Sequence, residues 1–198
     1  MDRLFVPTPT VYEAAIKYGV PAHRIIMHGL PIRVAFSNLP SRRACRTKLG
    51  LDMTLPAVLV VGGGEGMGPV EKQVKSMLSE FATVGGQVVV ICGRNEALVK
   101  RLNAIERPGR TRLFVQGFVD NMHEWMVACD AIVTKAGPGT IAESMICGLP
   151  TLLNAFVPCQ EEGNIAFVVD NGVGEFERNV KKAAKRVFAW LVRWLYVV

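Results

Sequence analysis

A chain of 198 residues, half of them hydrophobic, is long enough to bury the core of one large domain, or of one domain plus part of another. Its 23 Lys and Arg against 17 Asp and Glu give a net charge of +6. That suits an anionic ligand or an anionic membrane surface. Nucleic acid is disfavoured, because no dense basic tract with interleaved aromatics appears. The five cysteines, Cys45, Cys92, Cys129, Cys147 and Cys159, are widely spaced and make no C-x-x-C pair. This argues against a disulfide framework or a zinc site and fits reducing surroundings. No apolar run is long enough to span a bilayer, and the N-terminus reads as neither a signal nor a transit peptide.

In chain order, Leu4-Phe5-Val6 reads as a short strand. Thr8-Pro9 supplies a cap with proline just inside, opening a helix to about Lys17, which Gly19 and Pro21 stop. Arg24 to Met27 reads as a strand, residues 32–40 as a linker, and Arg42 to Leu49 as a short helix ended by Gly50. From Ala57 the rhythm is regular. A strand at 57–61 leads through Gly62-Gly63-Gly64-Glu65-Gly66-Met67-Gly68-Pro69 to a helix at about 69–83. Val88 to Ile91 is a buried strand, followed by Gly93-Arg94-Asn95 and a helix to about Ala104. Arg112 to Val115 is a strand ending at Gly117-Phe118, and Met122 to Cys129 a short helix. Ala131-Ile132-Val133 feeds a second glycine turn, Lys135 to Thr140, and a helix to about Cys147. A strand at 151–153, a polar loop at 158–164 and a helix from about 163 follow. Continuous apolar strands alternating with helices predict an α/β fold, a Rossmann-like parallel sheet with helices on both faces. Ligands of such sheets bind at the carboxyl ends of the strands, where every glycine turn falls.

Glycine turns opening helices leave backbone N–H groups free, and the helix dipole favours an anion there. Two of them suggest a ligand with a diphosphate. Thr140-Ile141-Ala142-Glu143 also matches a capping box, in which Thr140 and Glu143 would merely satisfy the helix start. The alternative gives Gly139 and Thr140 to phosphate and Glu143 to a ribose diol. Gly62-x-Gly64-x-x-Met67 lacks the third glycine of a dinucleotide fingerprint, and no acidic residue closes the next strand. A nicotinamide cofactor is therefore disfavoured, and the Walker pattern is absent. The 158–164 loop reads either as a solvated cap or as a sugar-recognition loop.

Together, Gly62–Pro69, Val90–Asn95, Lys135–Ser144 and Gln160–Asn164 resemble the plant monogalactosyldiacylglycerol synthases of glycosyltransferase family 28. The resemblance runs from about Leu4 to Phe176. It implies the C-terminal half of a GT-B glycosyltransferase: residues 1–36 would end the acceptor domain and its linker, and residues 37–198 would bind the UDP-sugar. By motif, Gly93, Arg94 and Phe118 would lie near uracil, and Gly64, Glu65, Gly137, Gly139 and Thr140 around the diphosphate. Glu143 would hold the ribose, and Gln160, Glu161 and Asn164 would face the sugar. Cys159 stands where the family usually has glycine.

The implied reaction moves galactose from UDP-galactose to 1,2-diacylglycerol with inversion, at the chloroplast envelope as a peripheral membrane protein. UDP-galactose is the donor substrate, and no cofactor or metal is implied. Diacylglycerol would be met through the rest of the acceptor domain, which also holds the base, and anionic lipids are further partners. His23, His28 and His123 receive no catalytic role, and the 198 residues alone are expected to be inactive. Two alternatives stay open: another UDP-sugar transferase with a cell-wall or sterol acceptor, and a UDP-binding module without turnover. In the tail, Val180, Ala184, Val187, Leu191 and Trp194 fall at helical spacing. It reads as a packed terminal helix, or as an interfacial basic helix with Trp190, Trp194 and Tyr196 at the lipid boundary.

Overall fold

The computed structural model describes residues 2–62 and 68–195. The chain divides into two compact units, Met1–Arg33 and Val34–Val198. In the first, β1 (Leu4–Val6) and β2 (Ile25–Met27) pair in parallel, joined through α1 (Pro9–Lys17). The Thr8 hydroxyl caps α1, accepting from the Val11 N–H at 3.3 Å, and Pro9 takes the first turn, where a missing N–H costs nothing. Val6, Ala15 and Ile25 form a small core with Leu4, Tyr12 and Val20 against it.

The second unit opens with a short 3-10 turn, Val34–Ser37, in the stretch expected to be linker. Its Phe36 is buried and meets the His123 ring edge-on. Ser41 caps α2 (Arg42–Leu49), and Gly50 ends it with φ 74°, a left-handed conformation that glycine adopts without a Cβ penalty. Then come β3 (Ala57–Val61), α3 (Val70–Phe81), β4 (Gly86–Ile91), α4 (Glu96–Asn103), β5 (Thr111–Gln116) and α5 (Met122–Ala128). The chain continues through β6 (Ala131–Lys135), α6 (Pro138–Ile146), β7 (Thr151–Ala155), α7 (Glu162–Asp170), β8 (Gly174–Phe176) and α8 (Val180–Leu195). The strands form one parallel sheet in the order β5-β4-β3-β6-β7-β8. β8 was not read from the sequence, being three residues long and starting on glycine.

Every residue of β3 and β4 is buried, as expected of central strands covered on both faces. On one face Val58, Val60, Val88, Val90 and Val133 pack on α3, α4 and α8. On the other, Leu153 packs with Ile141 of α6 and Val168 of α7. α8 is a packed helix: Ala183, Ala184, Val187 and Leu191 are buried, and Phe188 and Trp190 lean on the same core. Trp190 thus packs, partly buried, against the protein. The Trp194 side chain and Tyr196 lie outside what is described.

The amino-terminal rim of the sheet is built for stability. Arg46, 2% exposed, donates to the carbonyls of Asp52, Met53, Leu55 and Ala128 and to the Asp130 carboxylate at 2.8 Å. Asp130 also accepts from the Ala57 N–H, so one carboxylate joins α2 to the starts of β3 and β6.

Candidate functional site

The sheet order reverses between β3 and β6, which are hydrogen-bonded neighbours with Val61 opposite Thr134. Both glycine turns therefore leave from adjacent strands, at the topological switch point where open α/β sheets bind ligands. Of the first turn, Gly64 and Glu65 lie outside the described residues.

The second turn does not use the capping box. The N-cap of α6 is Gly137, extended at φ −71° and ψ 127°, with Pro138 in the first helical position and no side-chain cap bond. Proline presets the helical φ and so fixes the start ahead of Thr140, which lies inside the helix. The first rung is Ile141 N–H to Gly137 C=O at 3.1 Å. The N–H groups of Gly139 and Thr140 thus precede the ladder and point out of the helix's positive end. Nothing stands within 4 Å of where a Gly139 Cβ would sit, so packing leaves that space open. Glu143, one turn in, is buried, and its charge adds to the burial that pushes the Cys147 thiol up to about 11.

At the carboxyl ends of β4 and β5 the structure brings Gly93, Arg94 and Phe118 together. Gly93 takes φ 58°, and its carbonyl lies beside Gly117. The Arg94 guanidinium sits over the Phe118 ring at 5.7 Å, and that ring is 68% exposed. An exposed aromatic face beside a cation can stack a planar base.

After β7 the loop residues are already engaged. Glu161 is 4% exposed, with Oε2 accepting from the Val157 N–H at 2.9 Å and Oε1 from the Lys135 ammonium. Asn164 donates to the Ala136 carbonyl at 2.8 Å, so it braces the β6 turn from α7. Gln160 is exposed. Cys159 adopts φ 63°, the left-handed region that favours glycine. Lys135 is the residue that sequence reasoning left without a role. It ends β6 at a register shift between Thr134 and Lys135, and its partner is 26 positions away in sequence.

The C-terminal domain of glycosyltransferase family 28 matches residues 57–187. The chain belongs to that family. The match runs into α8, past the Phe176 limit expected from motifs, and covers β3 through β8 with every turn of the rim. Monogalactosyldiacylglycerol synthase 3, chloroplastic, of Arabidopsis thaliana is 44% identical over 196 residues, which covers 96% of this chain and 42% of that protein. The chain thus spans about two fifths of the length of that relative. Among solved structures, S. aureus MnaA in a co-structure with UDP superposes with a TM-score of 0.68 at 18% identity, over 94% of this chain and 52% of that one. WaaG, a glycosyltransferase involved in lipopolysaccharide biosynthesis, superposes at 0.58 and 20% identity, over 96% and 56%. At these identities the likeness is one of fold, the expected α/β half of a GT-B glycosyltransferase. Family membership gives the rim its chemical context: a sheet edge whose free N–H groups, helix dipole and aromatic face can hold an anionic nucleotide.

Proposed function

We propose that this chain is the donor-binding part of a galactolipid synthase. In the whole protein it would hold UDP-galactose while galactose passes to 1,2-diacylglycerol with inversion, forming monogalactosyldiacylglycerol. The observation that carries donor binding is the N-terminus of α6, which has no side-chain cap bond, at the β3/β6 switch point. The acceptor is supported by the names of the relatives, and their description as chloroplastic supports a place in the chloroplast.

In this reading residues 37–198 form the UDP-sugar domain, and residues 1–36 belong to the acceptor domain and linker. Uracil stacks by Phe118 with Gly93 and Arg94 alongside. The diphosphate lies between the turn carrying Gly64 and Glu65 and the start of α6 at Gly137, where the N–H groups of Gly139 and Thr140 face it; the Gly137 N–H itself donates to the Lys135 carbonyl at 2.8 Å. Glu143 takes the ribose, and Gln160, Glu161 and Asn164 face galactose. The leaving UDP gains charge as the glycosidic bond breaks. N–H groups and a helix dipole already aimed at it stabilise that charge without reorganising. The acceptor hydroxyl needs a base, which this reading assigns to the acceptor domain.

Calorimetric titration of the chain with UDP and UDP-galactose tests the reading. One-to-one binding of both is expected, and a folded chain that binds neither overturns it. The chain alone is expected to make no galactolipid from UDP-galactose and diacylglycerol vesicles. Product formation by it would refute the division of labour between the two domains.

A further inference from the structure

Lys135 and Glu161 form a charge pair across the mouths of β6 and β7, and it lies within the site proposed above. The Lys135 side chain is 24% exposed and that of Glu161 only 6%. Both Glu161 oxygens are engaged, one by the ammonium and the other by the Val157 N–H. A Cβ placed on Gly137 would stand 3.2 Å from the Lys135 Nζ and 3.7 Å from Glu161 Oε1. The ammonium therefore lies against the N-cap of α6, the place where the helix's free N–H groups begin. From the last residue of β6 to Gly137, and from 156 to 161 after β7, Lys135 is the one basic residue.

A cation at that point has more to do than hold Glu161. Free N–H groups and a helix end offer a diphosphate only partial charges, equivalent to roughly half an elementary charge. A sugar diphosphate brings close to two negative charges, and burying them with partial charges alone is costly. A lysine ammonium has three donors, and Glu161 uses one of them. The absence of a side chain at Gly137 keeps the path from Nζ to the helix end clear.

We propose that Lys135 is a diphosphate-binding residue: its ammonium, held by Glu161 as resting counter-ion, turns a free donor to the donor's phosphates. Glu161 then acts first as the positioning residue for Lys135, and its carboxylate is released in part to the sugar hydroxyls as the phosphates share the ammonium. Two loops that sequence separates thus close on the donor together. The inference rests on the UDP-sugar reading and names the residue that supplies its full charge.

The test uses the whole chain, with calorimetry against UDP and against uridine, which has the same base and ribose and no phosphate. Removing one charge would strand the other in a buried place, so the main variant removes both, Lys135→Met with Glu161→Gln. It is expected to bind UDP roughly ten- to a hundredfold more weakly, as for the loss of a charged hydrogen bond, with uridine binding unchanged. UDP affinity unchanged in the double variant overturns the proposal. So does an equal loss for UDP and uridine, which would mark the pair as structural. Absence of UDP binding by the unaltered chain overturns the donor-site reading together with this one.

Discussion

Cys159 shows how one residue can carry both strain and chemistry. At φ 63° its Cβ crowds the backbone, and a glycine there would have none to crowd. Cys159→Gly is expected to raise stability by about 1 kcal/mol, read from denaturant midpoints; a lower midpoint would show that the thiol makes a compensating contact. The same residue is exposed, whereas Cys45, Cys92 and Cys129 are buried and Cys147 is half-buried. Burial pushes the thiols of Cys92 and Cys147 up to about 11, and those of Cys45 and Cys129 up as well. Thiols held protonated react slowly. The folded chain should therefore take one equivalent of iodoacetamide quickly at neutral pH and the remaining four only on unfolding; a second fast equivalent would contradict the burial. The pattern of glycines and prolines on the rim was legible because their backbone preferences are local. Of the two readings of Thr140-x-x-Glu143, the capping box is the one the fold does not use, since Pro138 outranks a matching pattern in choosing where a helix starts. The Lys135–Glu161 pair had no local signal at all, because it exists only once β6 and β7 lie side by side.

At the level of elements, the fit between α3, β4 and α8 decides more than the composition of each. Phe81, fully buried at the end of α3, meets Phe188 of α8 edge-on, with ring centroids 5.7 Å apart. Beneath it Gly86 opens β4, and a Cβ there would come within 2.5 Å of the Phe81 ring. Gly86→Ala should cost about 1–3 kcal/mol by overpacking, measured by urea unfolding. Phe81→Leu in the same chain should recover part of that loss; no recovery would mean that the ring is not the obstacle. The start of this strand was hidden in sequence for the same reason. Gly86 and Gln87 dilute the apolar run, and the reading began at Val88, although Gly86 already pairs with Thr111. The tail was legible as an amphipathic helix, but its partner was not. Periodicity reveals an apolar face without telling whether protein or lipid will cover it, and here α3 does so.

For the whole molecule, several carboxylates draw stability from being ionised. Hydrogen bonds from the Lys48 ammonium and then Asn121 hold the Glu124 carboxyl below its usual range. The Thr54 N–H and hydroxyl do so for Asp52, and Lys75 and Arg101 for Glu71. The folded chain therefore binds fewer protons than the unfolded chain near pH 4. Stability is present above the ordinary carboxylate range, about pH 4, and is lost as pH falls through the depressed values. Thermal midpoints should hold near neutrality and drop below about pH 4; a midpoint that rises on acidification would reverse the sign. The net charge of +6 works in the same direction, since each added proton increases self-repulsion. The strand order has a consequence in time. β3 is the earliest strand of its sheet to be synthesised, yet it ends up in the middle, and its second neighbour, β6, comes only after β4 and β5 have been made. A chain leaving the ribosome thus passes through a stage in which β5-β4-β3 can assemble while one flank of Ala57–Val61 still shows a bare row of amides and carbonyls. That flank is an adhesive edge for any other nascent chain. Between the emergence of β3 and the arrival of Ala131–Lys135, yield depends on what shields five aliphatic residues from their neighbours in the cell.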